Sequence, residues 1–178
     1  MPSRNHGRVQ TNLILEFGHQ QQFSTYSELT LFVAGTNYTP DISVYPREPA
    51  DYRHDEASRA DLPLVAVEIF SPSQSHQEVV EKAEVYLRNG VKSCWIVSPP
   101  LRTVTILLPD GREEVFHSGQ TRASIPFPRQ QSPTVASSGA GRSRSVESFI
   151  LPRFYLGALS APSSLLDRPK KEPKEVGF

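Results

Sequence analysis

The seven-residue run Leu64–Phe70 is apolar throughout, except for one carboxylate, Glu68. Continuous apolar runs of this length are typical of a strand at the centre of a sheet that is covered on both faces. An ionised carboxylate buried alone is strongly unfavourable, so Glu68 needs a cation, hydrogen-bond donors or a raised pKa. Because successive side chains of a strand point to opposite faces, Glu68 lies opposite Val67 and Ile69. We therefore expect either a partner for Glu68 or a partly open sheet face beside it.

Two helices and several further strands are predicted around this central strand. The first helix covers residues 4 to about 19, where apolar side chains recur every four positions. The second begins at a capping box formed by Ser75 and Glu78 and ends at Asn89-Gly90. This order of elements predicts an α/β fold with a mixed central sheet flanked by helices. The other strands are predicted at Tyr26–Val33, Pro40–Tyr45, Ser93–Ser98, Thr103–Leu108 and Glu114–His117.

Composition divides the chain into a core and a C-terminal part of different character. The charged segment 46–61 is predicted to be a loop within the core. The lone Cys94 excludes an internal disulfide and a thiolate-rich zinc site. No signal peptide and no apolar run of about 20 residues is visible, so we expect a cytoplasmic protein without a membrane partner. The predicted division is a core at 1–119, a disordered low-complexity insertion at 120–145, a return to the core at 146–160 and a charged tail at 161–178.

The carboxylate Asp41, at the start of a predicted strand, is a second candidate for chemistry. If Asp41 and Glu68 converge from neighbouring strands, they form an oxygen-rich site suited to Mg²⁺ or Mn²⁺. Such an ion can polarise a phosphate oxygen and activate a water molecule. On the second helix, Lys82 is spaced by four from Glu78 and from Tyr86, so the three share one stripe beside the core-facing one. An ammonium there could stabilise the charge of a phosphoryl transition state.

Each of these side chains also has a purely structural interpretation. Glu78 can serve as the acid of the capping box and can pair with Lys82 on the helix surface. Tyr86 can be a packing residue, and an aspartate such as Asp41 after a proline is common in turns. The numbers of basic and acidic residues are equal, at 19 each. A nucleic-acid partner would therefore require a local basic patch or a bound cation.

A series of motifs, in order, resembles one known family. The matching segments are Pro40-Asp41, Val67-Glu68-Ile69 before Ser71-Pro72-Ser73, the helical stretch 81–91 and Trp95-Ile96-Val97. This succession is similar to that of the Uma-two family of restriction endonucleases, in the PD-(D/E)XK nuclease superfamily. The resemblance implies a restriction-endonuclease-like core and an endonuclease that hydrolyses phosphodiester bonds of DNA. It also implies Mg²⁺ or Mn²⁺ as cofactor, and a homodimer is expected because cutting two strands favours two sites.

The resemblance assigns roles to individual residues of this sequence. It implies that Asp41 and Glu68 bind the metal. Superfamily enzymes usually carry the catalytic lysine two residues after the acidic one, where this chain has Phe70. The resemblance therefore implies that the catalytic lysine is Lys82 of the second helix. The supporting residues are Tyr86, Ser71, which would shape the turn beneath the site, Glu78, and His6, which could approach from the first helix.

Two alternatives to an active enzyme stay open at this point. In the first, the chain is a catalytically inactive nuclease-fold protein that binds nucleic acid or a protein without cutting, which the neutral net charge favours. In the second, it is a scaffold protein in which Glu68 is neutralised internally by an arginine or a lysine. The position of Asp41, Glu68 and Lys82 around one accessible point distinguishes these interpretations.

Overall fold

A computed structural model describes residues 3–71 and 74–118, together with the backbone of 124–125 and 149–150. Its elements in chain order are α1 (Arg4–His19), β1 (Phe23–Ser27), β2 (Thr30–Val33), β3 (Thr36–Tyr38), β4 (Ile42–Pro46), β5 (Ser58–Arg59), β6 (Val65–Ile69), α2 (His76–Asn89), β7 (Ser93–Ser98), β8 (Thr103–Leu107), β9 (Glu113–His117), β10 (Ser124–Ile125) and β11 (Phe149–Ile150). The strands form three sheets. The six-stranded and the three-stranded sheets lie in the core and determine where the candidate site forms.

Six strands form the main sheet, in the order β1-β4-β6-β7-β8-β9. β6 and β7 pair in parallel, whereas the other neighbours pair antiparallel. A parallel pair cannot be joined by a tight turn, and α2 provides the crossover between β6 and β7. The predicted α/β fold with a mixed central sheet is confirmed.

The central strand β6 is buried at all five positions, as its apolar run predicts. On one face, Val67 and Ile69 pack in a hydrophobic core to which α1 contributes Leu13 and Phe17. On the other face, Ala66 of β6 packs in a second core with α2 and with a smaller sheet. That smaller sheet has the strand order β3-β2-β5. Glu68 belongs to this second face and therefore lies under α2.

Two predictions about the region before β6 are wrong. The single strand expected at Tyr26–Val33 is two strands, β1 and β2, in different sheets. Between them, Glu28 has a φ of 53°, in the left-handed region that interrupts a strand. The segment 46–61 was expected to be loop throughout, but it contains β5, which pairs in parallel with β2. A two-residue strand has no periodicity of its own, so only its distant partner defines it.

The predicted insertion at 120–145, the return to the core at 146–160 and the tail at 161–178 lie outside the described residues, apart from two short strands. Those strands, β10 and β11, pair antiparallel through Ser124 with Ile150 and Ile125 with Phe149. In the part of the chain that the structure describes, no helix is both long and apolar enough to cross a membrane.

Candidate active site

Asp41 lies where the antiparallel pairing of β4 with β6 ends. The last pair in the register is Ile42 with Val67, which brings Asp41 beside Glu68. The Asp41 carboxylate oxygen Oδ2 accepts a hydrogen bond of 2.6 Å from the backbone N–H of Ile69. A side-chain oxygen thus satisfies a strand amide at the point where strand pairing stops.

Helix α1 holds the other side of Asp41. His6 Nε2 lies 3.1 Å from Asp41 Oδ1, and Gln10 Nε2 donates to the Asp41 backbone carbonyl at 2.9 Å. The hydroxyl of Ser3 caps α1 and accepts a hydrogen bond from the backbone N–H of His6. His6 is buried, and its Nδ1 has no hydrogen-bond partner among the described residues. A neutral His6 would therefore carry its proton on Nε2, facing the carboxylate.

Glu68 is enclosed by two donors from consecutive turns of α2. Lys82 Nζ donates to both carboxylate oxygens of Glu68 at 2.9 Å. The hydroxyl of Tyr86 donates to Glu68 Oε1, also at 2.9 Å. The Glu68 side chain is only 2% exposed, whereas that of Lys82 is 29% exposed. The buried acid thus has the partner that its sequence context requires, and that partner reaches solvent.

Burial and charge act in opposite directions on Glu68. Burial raises the pKa of the Glu68 carboxyl, the Lys82 ammonium opposes that rise, and the negative charge of Asp41 adds to it. Burial and the adjacent Glu68 carboxylate raise the pKa of Tyr86 well above its usual range. Tyr86 is therefore a permanent hydrogen-bond donor at neutral pH rather than a base.

Two of the predicted supporting residues serve the connection between β6 and α2. The backbone N–H and the hydroxyl of Ser71 lie 3.2 and 3.1 Å from the side-chain oxygen of Gln74, within hydrogen-bond distance. Glu78 forms the capping box with Ser75, through reciprocal hydrogen bonds of 3.1 Å. Lys82, one turn later, turns towards Glu68 instead. Ser71 and Glu78 thus act on local structure, as the structural interpretation of Glu78 predicts.

The donor chemistry of Asp41 and Glu68 fits a hard divalent cation. Glu68 Oε1 already accepts two hydrogen bonds, whereas Glu68 Oε2 and each oxygen of Asp41 accept one and keep a lone pair for an ion. Mg²⁺ is commonly held by one or two carboxylates, with waters and phosphate oxygens completing its shell. Within residues 3–71 and 74–118, no group of three or more His, Cys, Asp or Glu side chains is arranged to hold a metal. Two carboxylates alone would leave most of the shell of such an ion to waters and phosphate oxygens.

A groove of about 500 Å³ is lined in part by Lys82. We call it the Lys82 groove, and its lining includes Tyr38, Gln74, Glu78 and Glu81. The Tyr38 ring makes a T-shaped contact with Tyr86, with 5.8 Å between the ring centroids. Sequence reasoning missed Tyr38 and Gln74, because neither belongs to a periodic stripe or a catalytic motif. It also missed Gln10, although the four-residue spacing from His6 to Gln10 could have indicated a shared helix face.

Five of the predicted residues form two groups of contacts on neighbouring strands, one around Asp41 and one around Glu68. Asp41 is bound by His6, and Glu68 is bound by Lys82 and Tyr86. Asp41 and Glu68 lie side by side at the end of the β4–β6 pairing. The strand register and the electrostatic effect of Asp41 on Glu68 put the two acids near each other, while the predicted site and the catalytic and metal-binding roles of these residues stay predictions.

Comparison with known proteins gives a match to a family model and matches to solved structures. The family model Uma2, described as "Putative restriction endonuclease", matches residues 1–136. The crystal structure of a protein from Anabaena variabilis ATCC 29413, described as a putative nuclease belonging to DUF820, is similar to this chain with 26% sequence identity and a TM-score of 0.62. The similarity covers 72% of this chain and 74% of that one. No curated protein matches the chain. The family resemblance inferred from the motifs is confirmed.

Proposed function

The chain belongs to the Uma2 family of restriction-endonuclease-like proteins, and from this premise we propose that it is an endonuclease that hydrolyses phosphodiester bonds of DNA with Mg²⁺ or Mn²⁺. The observation that carries the proposal is the juxtaposition of Asp41 and Glu68, with the Lys82 ammonium in contact with Glu68. In this proposal Asp41 and Glu68 are the metal ligands and Lys82 is the catalytic cation.

The charges of the site explain why a metal is required. Two carboxylates, Asp41 and Glu68, face a substrate that is itself anionic, and Lys82 offsets only one of them. A divalent ion held by both would offset the repulsion, polarise a phosphate oxygen and lower the pKa of an attacking water. Without it, these carboxylates repel the phosphate.

The chain's own residues supply orientation and further positive charge. The backbone N–H of Ile69 and the His6 imidazole fix the two oxygens of Asp41. The Tyr86 hydroxyl fixes Glu68 Oε1. Lys82 has three N–H donors, and its partly exposed ammonium can serve Glu68 and a phosphate oxygen together. Such fixed donors stabilise the charge that develops on the phosphoryl oxygens in the transition state.

The variant Asp41→Asn tests the proposal directly. Asparagine retains an acceptor for the backbone N–H of Ile69 but loses the charge that a metal ligand needs. We expect nicking of supercoiled plasmid DNA in Mg²⁺ or Mn²⁺ to fall at least about 100-fold, a typical cost for one removed electrostatic group. The matched control is Asp55→Asn, an exposed aspartate in the 46–61 segment, which should nick at the wild-type rate.

Metal binding can be measured on the same proteins without turnover. We expect Mg²⁺ or Mn²⁺ to raise the Tm of the wild type and of Asp55→Asn but not that of Asp41→Asn, because a ligand that binds only the native state stabilises it. Undiminished nicking by folded Asp41→Asn would contradict the catalytic assignment.

The homodimer and the cytoplasmic location stay predictions, and sedimentation velocity tests the homodimer.

A non-cutting protein of the same fold is the second candidate. The observation that favours it is the near-complete burial of Glu68, with both oxygens already bound by Lys82. An ion pair of this kind can neutralise the acid without any metal, as in a nucleic-acid- or protein-binding module or a scaffold. This candidate predicts no nicking and no change of Tm with Mg²⁺ or Mn²⁺ in the wild type. The nuclease proposal predicts nicking and a rise of Tm with Mg²⁺ or Mn²⁺ in the wild type. Both effects should be lost in Glu68→Gln.

A further inference from the structure

We propose that the Lys82 groove binds an unpaired nucleobase that carries an amino group, next to the phosphate that is cut. This inference rests on the proposed function, because it takes the ligand to be nucleic acid. Lys82, whose ammonium is in contact with Glu68, is one of the residues that line the groove. A nucleotide whose phosphate reaches Lys82 therefore has its base within reach of the groove.

An aromatic wall provides the stacking surface that a base requires. Tyr38 lines the groove, and its T-shaped contact with Tyr86 fixes the plane of its ring. Val79 and Val85 also line the groove. Stacking on aromatic side chains is the usual way in which proteins hold unpaired bases, and it accepts any base because each has a π-face.

Two polar side chains that line the groove, Gln74 and Glu81, offer a donor and an acceptor that suit the edge of an amino-bearing base. The backbone N–H of Ser71 requires an acceptor, so Gln74 presents its carbonyl oxygen to Ser71 and keeps its NH₂ group as a donor. Glu81 accepts from Gln77 through one carboxylate oxygen, Oε1, so the other can accept from a ligand. A base with a ring acceptor beside an exocyclic amino group, as in adenine or cytosine, presents the complementary pattern.

The charge of the groove favours a base over a phosphate as its occupant. Glu78 and Glu81 line it along with the single ammonium of Lys82, whose hydrogen bonds go to Glu68. Carboxylates repel the phosphate backbone but accept hydrogen bonds from amino groups. The volume of about 500 Å³ lies within the range of small-ligand sites. One unstacked nucleoside is the ligand that meets both conditions.

The test is a fluorescence titration with a short single-stranded oligonucleotide that contains one 2-aminopurine. It is performed in Ca²⁺, which supports phosphate binding with little turnover. We expect binding to quench the fluorescence of the probe, and Tyr38→Phe to retain the quench because the ring is retained. Tyr38→Leu should bind at least about fivefold more weakly. The matched control is Tyr52→Leu, at a tyrosine that is 96% exposed and outside the groove, which should bind like the wild type.

A second comparison examines the polar floor of the groove. Unlabelled oligonucleotides of adenine or cytosine should displace the probe better than thymine oligonucleotides, and Glu81→Gln should reduce this difference. Equal binding by wild type and by folded Tyr38→Leu, or equal competition by all bases, would overturn the inference. Plasmid nicking on the same samples separates the two proposals. Asp41-dependent nicking with Tyr38-independent fluorescence overturns the groove alone, and Tyr38-dependent fluorescence without nicking overturns the nuclease alone.

Discussion

Two ion-paired clusters adjoin the same hydrophobic core, which includes Tyr45 and Tyr86. The Glu68 cluster comprises Glu68, Lys82 and Tyr86. The Arg59 cluster comprises Arg59, Glu48 and Asp61, with Tyr26 donating from its hydroxyl to Glu48. Arg59 Nη1 lies 2.5 Å from Glu48 Oε1, and its Nη2 lies 2.6 Å from Asp61 Oδ2. In each cluster a cation contacts at least one carboxylate beside a tyrosine. The cation is the more buried partner in one cluster, and the carboxylate is in the other.

In the Arg59 cluster the cation is the more buried partner, and its planar fork binds two partly exposed carboxylates. The guanidinium carbon also lies 4.3 Å from the centroid of the Tyr45 ring, a cation–π contact. In the Glu68 cluster the carboxylate is buried and the compact ammonium of Lys82 reaches solvent. In the first cluster, the contacts of Glu48 with Tyr26 and of Arg59 with Tyr45 hold the 46–61 segment against the core. The second keeps a charged group accessible, which a ligand site requires.

The largest effect is expected from Lys82→Met, because it leaves Glu68 buried without its cation. Removing one partner of a buried ion pair typically costs about 3–5 kcal/mol. We expect a loss of about 3 kcal/mol in the free energy of unfolding at pH 8, measured by urea denaturation. The exposed Lys92→Met is the matched control and should change it by less than about 0.5 kcal/mol. The double variant Glu68→Gln/Lys82→Met should recover part of the loss, and failure to recover any would contradict the explanation by an unpaired charge.

A smaller difference in the free energy of unfolding is expected between variants of the tyrosines Tyr86 and Tyr45. Tyr86→Phe removes a hydrogen bond to the charged Glu68, whereas Tyr45→Phe removes one to the backbone carbonyl of Asp61. Bonds to charged groups contribute about 1.5–3 kcal/mol and neutral ones about 1 kcal/mol. Urea denaturation should therefore show about twice the loss for Tyr86→Phe. Equal losses would indicate that the two hydroxyls lie in equivalent environments.

Arg59→Met should cost about 1–2 kcal/mol, less than Lys82→Met although it breaks more contacts. Its ion pairs are partly exposed and contribute up to about 1 kcal/mol each, and the cation–π contact adds a similar amount. Arg112→Met, which breaks an exposed pair with Asp110, is the control and should have almost no effect. Denaturation in high salt adds a check, because screening should reduce the Arg59 effect more than the Lys82 effect. A larger loss for Arg59→Met than for Lys82→Met would reverse the comparison.

The smallest effect, at most about 1.4 kcal/mol per pH unit, is an opposite pH dependence of the two glutamates. Burial raises the pKa of Glu68, so its contribution to stability is present below its ordinary value of 4.5 and is lost as the pH rises through the folded-state pKa. The hydrogen bond from Arg59 lowers the pKa of Glu48, so its contribution is present above 4.5 and is lost as the pH falls through its folded-state pKa. On acidification, wild type should gain stability relative to Glu68→Gln and lose it relative to Glu48→Gln. Thermal unfolding from pH 7 to pH 3 measures both differences, and parallel curves would contradict the assignment.

Much of this fold could be predicted because its signals are local. The apolar run of β6 predicts a buried strand, and the capping box gives the start of α2. The small sheet could not be predicted, since β5 exists only through pairing with residues far away in sequence. The left-handed conformation of Glu28, which separates β1 from β2, likewise has no signature in a residue type that seldom adopts it.

The candidate site divides in the same way. A carboxylate in an apolar strand requires a partner, and four-residue spacing on a helix puts Lys82 and Tyr86 together, so the contacts of Glu68 follow from the sequence. The contact of His6 with Asp41 joins residues 35 positions apart and depends on how α1 packs on the sheet. His6 was named from the sequence but its partner was not, whereas Tyr38 was missed altogether because its position depends on the small sheet.

The hydrogen bond from the Ile69 backbone amide links strand β6 to the orientation of the Asp41 carboxylate. If the Asp41 carboxylate rotated away, the buried N–H of Ile69 would lose its acceptor, because strand pairing no longer supplies one at this point. The carboxylate is thereby committed to one orientation before any ligand arrives. Folding itself therefore fixes the orientation of the Asp41 carboxylate, and the proposed metal would meet a side chain that needs little reorganisation.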